Sequence, residues 1–115
     1  MHTVIIDPGR LLTVTVDLQS VHMTAFRLRV RLPGGEWKTF ARGTQEDDLR
    51  PHAVGPLPGG STLDYRFLYT SDKKSTFRAL ITVRQDGEIC PGGIIPIAGD
   101  ENDSGLEGQI ALEQP

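Results

Sequence analysis

The sequence predicts an all-β fold, an antiparallel β-sandwich of about seven or eight short strands with no significant helix. Several segments alternate apolar and polar residues with a period of two, as strands with one buried face do. No segment repeats apolar residues at intervals of three and four over a dozen positions. The 13 glycines and eight prolines supply turns between strands. With 115 residues the chain has the size of one domain, residues 1–115.

Three segments show the clearest alternation, at residues 12–18, 63–69 and 77–83. Their apolar positions are Leu12, Val14, Val16 and Leu18; Leu63, Tyr65, Phe67 and Tyr69; and Phe77, Ala79, Ile81 and Val83. A short polar connection at residues 71–74 separates the last two segments. It predicts that residues 62–85 form a β-hairpin whose strands pair directly.

The apolar pattern of residues 21–32 changes parity within the segment. Its apolar positions are first odd and then even, namely Val21, Met23 and Ala25, followed by Phe26, Leu28, Val30 and Leu32. The change predicts a one-residue bulge near Ala25, or a strand that passes from one sheet to the other.

The remaining predicted strands are shorter. They are residues 4–6, 36–42, 53–54, 94–97 and 106–112. The inward face of residues 36–42 is left open by the pattern, and residues 43–60 form a long connection with at most one short edge strand. Pro96 places residues 94–97 at a sheet edge, because proline cannot donate to a strand ladder.

A local motif bears on the type of sandwich. Leu57-Pro58-Gly59 followed by Tyr65 resembles the tyrosine corner of fibronectin type III and related immunoglobulin-like domains, in which a tyrosine hydroxyl bonds back to the backbone. The resemblance implies an immunoglobulin-like sandwich, with a Greek-key arrangement as the alternative. Tyr65 as an ordinary core aromatic is the other interpretation.

Charge is distributed unevenly along the chain. Residues 1–85 hold all 12 lysines and arginines against eight acidic residues, whereas residues 86–115 hold seven acidic residues and no base. The net charge of −3 argues against a general nucleic-acid binder, which usually carries a basic balance or stripe. The opposed blocks can attract each other within the fold, between copies, or through a bound cation.

Arginines provide the candidate partner-binding surface. Arg27, Arg29 and Arg31 fall on one face of a strand, because alternate residues point the same way. Arg66, Arg78 and Arg84 lie on the polar side of the predicted hairpin and join this face if the strands share a sheet. Guanidinium groups bind carboxylate, sulfate or phosphate in bidentate fashion. The alternative interpretation is a solvated face with weak ion pairs.

The sequence provides little for catalysis. The three histidines lack the close spacing of metal ligands, and nucleophile-elbow, phosphate-loop and dinucleotide motifs are absent from the sequence. Neighbouring acids would disfavour the Cys90 thiolate. We therefore expect no catalytic residues and no enzyme activity.

The acidic segment at residues 99–107 is the candidate metal site. Its oxygen-bearing side chains are Asp100, Asn102, Asp103, Ser104 and Glu107. Oxygen ligands suit Ca²⁺, so calcium is the one possible cofactor, and otherwise we expect none. The alternative is a solvated turn.

The overall layout resembles the two-calcium fucose-binding bacterial lectins in length, in its short strands and in the acidic Asp/Asn loop before the last strand. That resemblance implies calcium ions that hold sugar hydroxyls directly. Trp37 is a candidate sugar-stacking ring, with core packing as the alternative.

These features favour a non-catalytic interaction module over an enzyme. The module would bind a protein partner or self-associate as a homo-oligomer, using the basic strand face and the acidic C-terminal segment. The alternative function is a calcium-dependent carbohydrate-binding sandwich. We expect no nucleic-acid partner and no membrane span. Without a recognisable leader the expected compartment is the cytoplasm, with leaderless secretion as the alternative.

Overall fold

The computed structural model describes residues 2–19, 23–70, 76–99 and 105–115. These residues form nine strands and one short 3-10 helix. In chain order they are β1 (His2–Ile5), β2 (Leu12–Leu18), β3 (Met23–Arg31), β4 (Lys38–Thr44), the 3-10 helix (Gln45–Asp47), β5 (His52–Val54), β6 (Thr62–Thr70), β7 (Phe77–Gln85), β8 (Glu88–Gly99) and β9 (Gly105–Glu113).

Two sheets pack face to face. The five-stranded sheet has the order β1-β9-β6-β3-β4, and the four-stranded sheet has the order β5-β2-β7-β8. The predicted all-β sandwich is therefore confirmed. Most neighbouring strands run antiparallel, but β1 pairs with β9 in parallel.

The core lies between the sheets and is built from the inward positions of each alternating segment. Phe67 of β6 and Phe77 of β7 are fully buried, and their ring centroids lie 5.4 Å apart across the two layers. Tyr69 stacks on Phe77 with centroids 4.3 Å apart. Burial of these aromatic side chains stabilises the sandwich, since each removes a large apolar surface from water.

The predicted hairpin at residues 62–85 is wrong. β6 pairs with β3 and β9 in one sheet, whereas β7 pairs with β2 and β8 in the other. Both strands bury one face in the same core, so alternation alone does not say to which sheet each belongs. The connection at residues 71–74 lies outside the described residues.

The hairpin is formed instead by β7 and β8. Gln85 pairs with Glu88, and Asp86 and Gly87 between them have φ values of 52° and 80°. Two successive residues with positive φ make the turn that matches strand twist, and Asp-Gly is its usual sequence.

Both alternatives predicted near Ala25 are wrong for β3 as described from Met23: β3 has no bulge against β6, and it stays within one sheet. β3 pairs with β6 without a register shift, and Ala25 faces outward while Phe26 and Leu28 are buried. The irregularity lies on β4, where Phe40 is the extra residue between Thr39, opposite Arg29, and Ala41, opposite Leu28. The earlier apolar position, Val21, lies outside the described residues.

Two edge predictions agree with the structure. β5 includes residues 53–54 and lies at one edge of the four-stranded sheet, and β8 includes residues 94–97 at the other edge. The Tyr65 hydroxyl points at Gly108 of β9, where an added Cβ would lie 2.3 Å from it. Tyr65 thus packs against the neighbouring strand of its own sheet. A tyrosine corner would instead place the hydroxyl against the backbone of the preceding connection.

We predict that Gly93→Ala destabilises the sandwich by roughly 1–3 kcal/mol, as overpacking does. A Cβ at Gly93 would lie 2.7 Å from the carbonyl oxygens of Cys90 and Val83, which are backbone atoms in the irregular stretch between the Thr82–Ile94 and Arg84–Ile89 pairs. Gly9→Ala is the matched control, because its nearest neighbour would be 3.7 Å away. Urea unfolding of both variants tests this, and equal midpoints would contradict it.

We predict that the partly buried imidazole of His52 makes the stability of the fold depend on pH. Burial lowers the pKa of His52, an effect opposed by Asp47 and reinforced by Arg50. His52 Nε2 is buried without a hydrogen-bond partner, and the ring packs edge-on to Phe26. Because the unfolded state binds the proton more readily, stability should be full above the unfolded pKa of about 6.5 and fall as the pH drops below it.

The measurement is thermal unfolding between pH 7 and pH 5.5, with wild type beside His52→Gln. The variant should lose less stability over this interval, since it has no imidazole to protonate. His2→Gln, at an exposed position of β1, is the control and should behave as wild type. Parallel pH profiles for all three proteins would contradict the prediction.

Candidate functional site

The outer surface of the five-stranded sheet carries the charged residues of interest. Because Phe26, Leu28 and Val30 of β3 are buried, the odd positions between them face away from the core. Arg27 lies directly between Arg66 of β6 and Arg42 of β4. We call Arg27, Arg42 and Arg66 the arginine row.

The arginine row places three like charges side by side on consecutive strands. Among the described residues, none of its three members forms an ion pair. Like charges directly opposite each other destabilise a sheet, and long guanidinium side chains reach across this spacing. The row is therefore an unfavourable arrangement for stability alone.

Burial of Arg27, the central member of the row, adds to the free-energy cost of this arrangement. Arg27 is half-buried, and its Nε is buried without a hydrogen-bond partner. Burying a polar donor unpaired costs free energy, because the hydrogen bond to water is lost and not replaced. The row borders a depression of about 300 Å³, whose other walls include Ala25, Gly43 and Leu68.

The neighbouring cross-strand position is satisfied instead. Arg29 of β3 lies opposite Asp64 of β6, and its Nε donates to both carboxylate oxygens at 3.0 Å. Its NH2 group contacts the same carboxylate, and Asp64 is buried. These hydrogen bonds, opposed by burial and reinforced by Asp64 and Glu107 electrostatically, raise the pKa of Arg29. The guanidinium group of Arg29 is thus paired within the chain.

Trp37 lies beside this pair and is partly exposed. The guanidinium carbons of Arg29 and Arg31 lie 5.0 and 4.7 Å from its ring centroid. Both distances fit cation–π interactions. Trp37 is neither a core residue nor a bare platform, since a stacking sugar would compete with guanidinium groups for the ring.

Arg78 and Arg84 lie apart from the other predicted partner-binding residues. Both belong to β7 in the four-stranded sheet, so their side chains are on the opposite exterior of the sandwich. Arg84 donates to the Thr15 hydroxyl at 3.2 Å. The predicted surface of Arg27, Arg29, Arg31, Arg66, Arg78 and Arg84 is thus divided between two faces.

Arg42 is a site residue that the sequence interpretation missed. The pattern of residues 36–42 left the inward face open, and the bulge at Phe40 changes which residues of β4 face outward. The signal in the sequence is the apolar Ala41 next to Arg42. The structure buries Ala41, and Arg42 faces outward beside it.

The candidate calcium residues Asp100, Asn102, Asp103 and Ser104 lie outside the described residues. Glu107 is described: it is exposed on β9 and lies opposite Arg66 in register. Within the described ranges, no three His, Cys, Asp or Glu side chains come together as a metal site would require.

Cys90 lies far from the row, on β8. It is buried, its Sγ lies 3.6 Å from Gln85 Oε1, and burial raises the pKa of its thiol. A raised pKa leaves little thiolate, the form that reacts.

We predict that Asp64→Asn lowers the melting temperature by several degrees. The change removes the charge that holds Arg29 and leaves that guanidinium without its carboxylate. Glu107→Gln is the control, because it removes one negative charge from the same face without breaking an ion pair within the described residues. Thermal unfolding followed by circular dichroism tests both, and an equal shift in the two variants would show that only net charge matters.

Comparisons with known proteins give no match. The chain matches no protein-family model, no curated protein and no solved structure. In the described part of the chain, no helix has the length and apolar character needed to cross a membrane. The arginine row and its surroundings are therefore the observations from which function is argued.

Proposed function

We propose that this domain is a non-catalytic binding module that recognises an acidic segment of a partner protein through the arginine row. The observation that carries the proposal is that Arg27, Arg42 and Arg66 lie side by side in register and form no ion pair among the described residues. An acidic ligand supplies acceptors for the guanidinium groups that face solvent. Binding then offsets the repulsion among three neighbouring positive charges.

Charge complementarity selects the class of partner. Guanidinium groups bind carboxylates through charge-assisted hydrogen bonds that are stronger than neutral ones. The protein as a whole has a net charge of −3, which disfavours the extended polyanion surface of a nucleic acid. A short acidic segment of a partner protein contacts only the row, so it can bind although the domain as a whole has a net negative charge. A second copy of this chain, with its acidic C-terminal block, is one such partner.

The contrast with Arg29 supports the same conclusion. Two residues further along the same pair of strands, Asp64 forms an ion pair with Arg29. A carboxylate is thus compatible with this face of the sheet. Opposite Arg27, however, the cross-strand residue is Arg66, where an acidic residue would remove the repulsion between the two arginines. This difference is expected when a site is kept open for a ligand.

We predict that Arg42→Gln leaves the fold intact and raises its stability by roughly 0.2–1 kcal/mol, because it removes one of two like charges that face each other. The same change should weaken binding of a short Glu-rich peptide. Urea unfolding measures the first effect. A loss of stability in Arg42→Gln would show that the row has a structural role and would contradict the proposal.

Peptide binding is followed through Trp37, the single tryptophan, which lies on this face. Arg66→Gln should weaken binding roughly ten-fold, equivalent to about 1.4 kcal/mol. Arg78→Gln is the matched control, since Arg78 is also exposed but lies on the opposite sheet. Binding should weaken with added salt. Equal affinities for the two variants would overturn the proposal, and concentration-dependent light scattering identifies self-association.

A further inference from the structure

We propose that the acidic group seated in the arginine row is a phosphoryl group on the partner, so that the module recognises a phosphorylated protein segment. This inference rests on the proposed function and specifies its ligand.

The number of donors argues for a phosphoryl group over a single carboxylate. A carboxylate has one negative charge and two oxygens, which a single guanidinium can satisfy in bidentate fashion. Arg29 and Asp64 show this one-to-one pairing on the same face. The row has three guanidinium groups and no carboxylate in ion-pair contact among the described residues. A phosphoryl group, with a charge of about −1.5 to −2 and three acceptor oxygens, matches that set.

The spacing of the row fits a single compact group. Neighbouring strands lie roughly 4.8 Å apart, so the backbones that carry the three arginines span about 10 Å. The side chains are long enough to converge over the central strand, β3. The buried, unpartnered Nε belongs to Arg27, the central member. Because this Nε is closed to solvent, a tetrahedral anion above β3 would accept from the terminal guanidinium nitrogens of Arg27, and from Arg42 and Arg66 on either side.

The surroundings favour a group attached to a larger partner over a small free anion. The depression is open to solvent, and Leu68 beside it is 48% exposed. Ala25, opposite Leu68 in register, is also exposed. These apolar side chains offer contact area to the residues that flank a phosphorylated side chain. Inorganic phosphate alone makes no use of them.

The test uses two peptides of the same Glu-rich sequence, one with phosphoserine and one with glutamate at the central position. Trp37 fluorescence measures both affinities, and inorganic phosphate serves as a competitor. We expect the phosphoserine peptide to bind at least ten-fold more tightly to wild type. Arg27→Lys, which keeps the charge but loses the guanidinium fork, should lose most of that preference.

The controls separate the two proposals. Arg78→Lys should keep the full preference, and Arg42→Lys, on the edge strand β4, serves as a second variant should Arg27→Lys fail to fold. Equal binding of both peptides to wild type would overturn the phosphoryl inference and leave the proposed function standing. Binding of neither peptide would overturn both. Inorganic phosphate that matches the phosphopeptide in affinity would show a free-anion site and would also overturn the inference.

Discussion

Burial of alternate side chains between two sheets is the constraint on which the whole molecule depends. Once Phe26 and Leu28 of β3 are buried in the core with Phe67, the pleat forces Arg27 and Arg29 to the exterior. The same rule on β6 places Arg66 outside. The arginine row is therefore a consequence of core packing together with strand register, and its members lie on strands, which hold a site more rigidly than loops do.

Two neighbouring arginines of β3 have cross-strand partners that differ in the sign of their charge. Arg29 has Asp64 as its cross-strand neighbour, while Arg27 has Arg66. The first pair is expected to stabilise the fold, whereas the second places two like charges opposite each other and is expected to destabilise it. Conflicts of this kind in otherwise consistent proteins are concentrated at functional sites, where stability is exchanged for recognition. The position of the conflict at the sheet centre, and not at a frayed end, strengthens that interpretation.

The sequence was sufficient for the fold class and for the outward face of Arg27, Arg29 and Arg31, because period-two alternation reports which side of a strand is buried. It was insufficient for sheet membership, since strands of both sheets bury one face in one core. The hairpin was therefore assigned to residues 62–85, although Asp86-Gly87 marked the true turn. The outward orientation of Arg42 does not follow from the sequence, because the bulge at Phe40 interrupts the alternation of inward and outward residues on β4.

Glu107 limits what the row can accept. It is exposed on β9 beside Arg66, so the positive strip of β4, β3 and β6 ends at a negative charge. A long polymer of repeating negative groups laid across the strands would meet repulsion after three positions. An isolated anionic group ends before that boundary is reached. If the row binds as proposed, this carboxylate at the margin is expected to favour a single modified side chain over a chain of phosphates or sulfates.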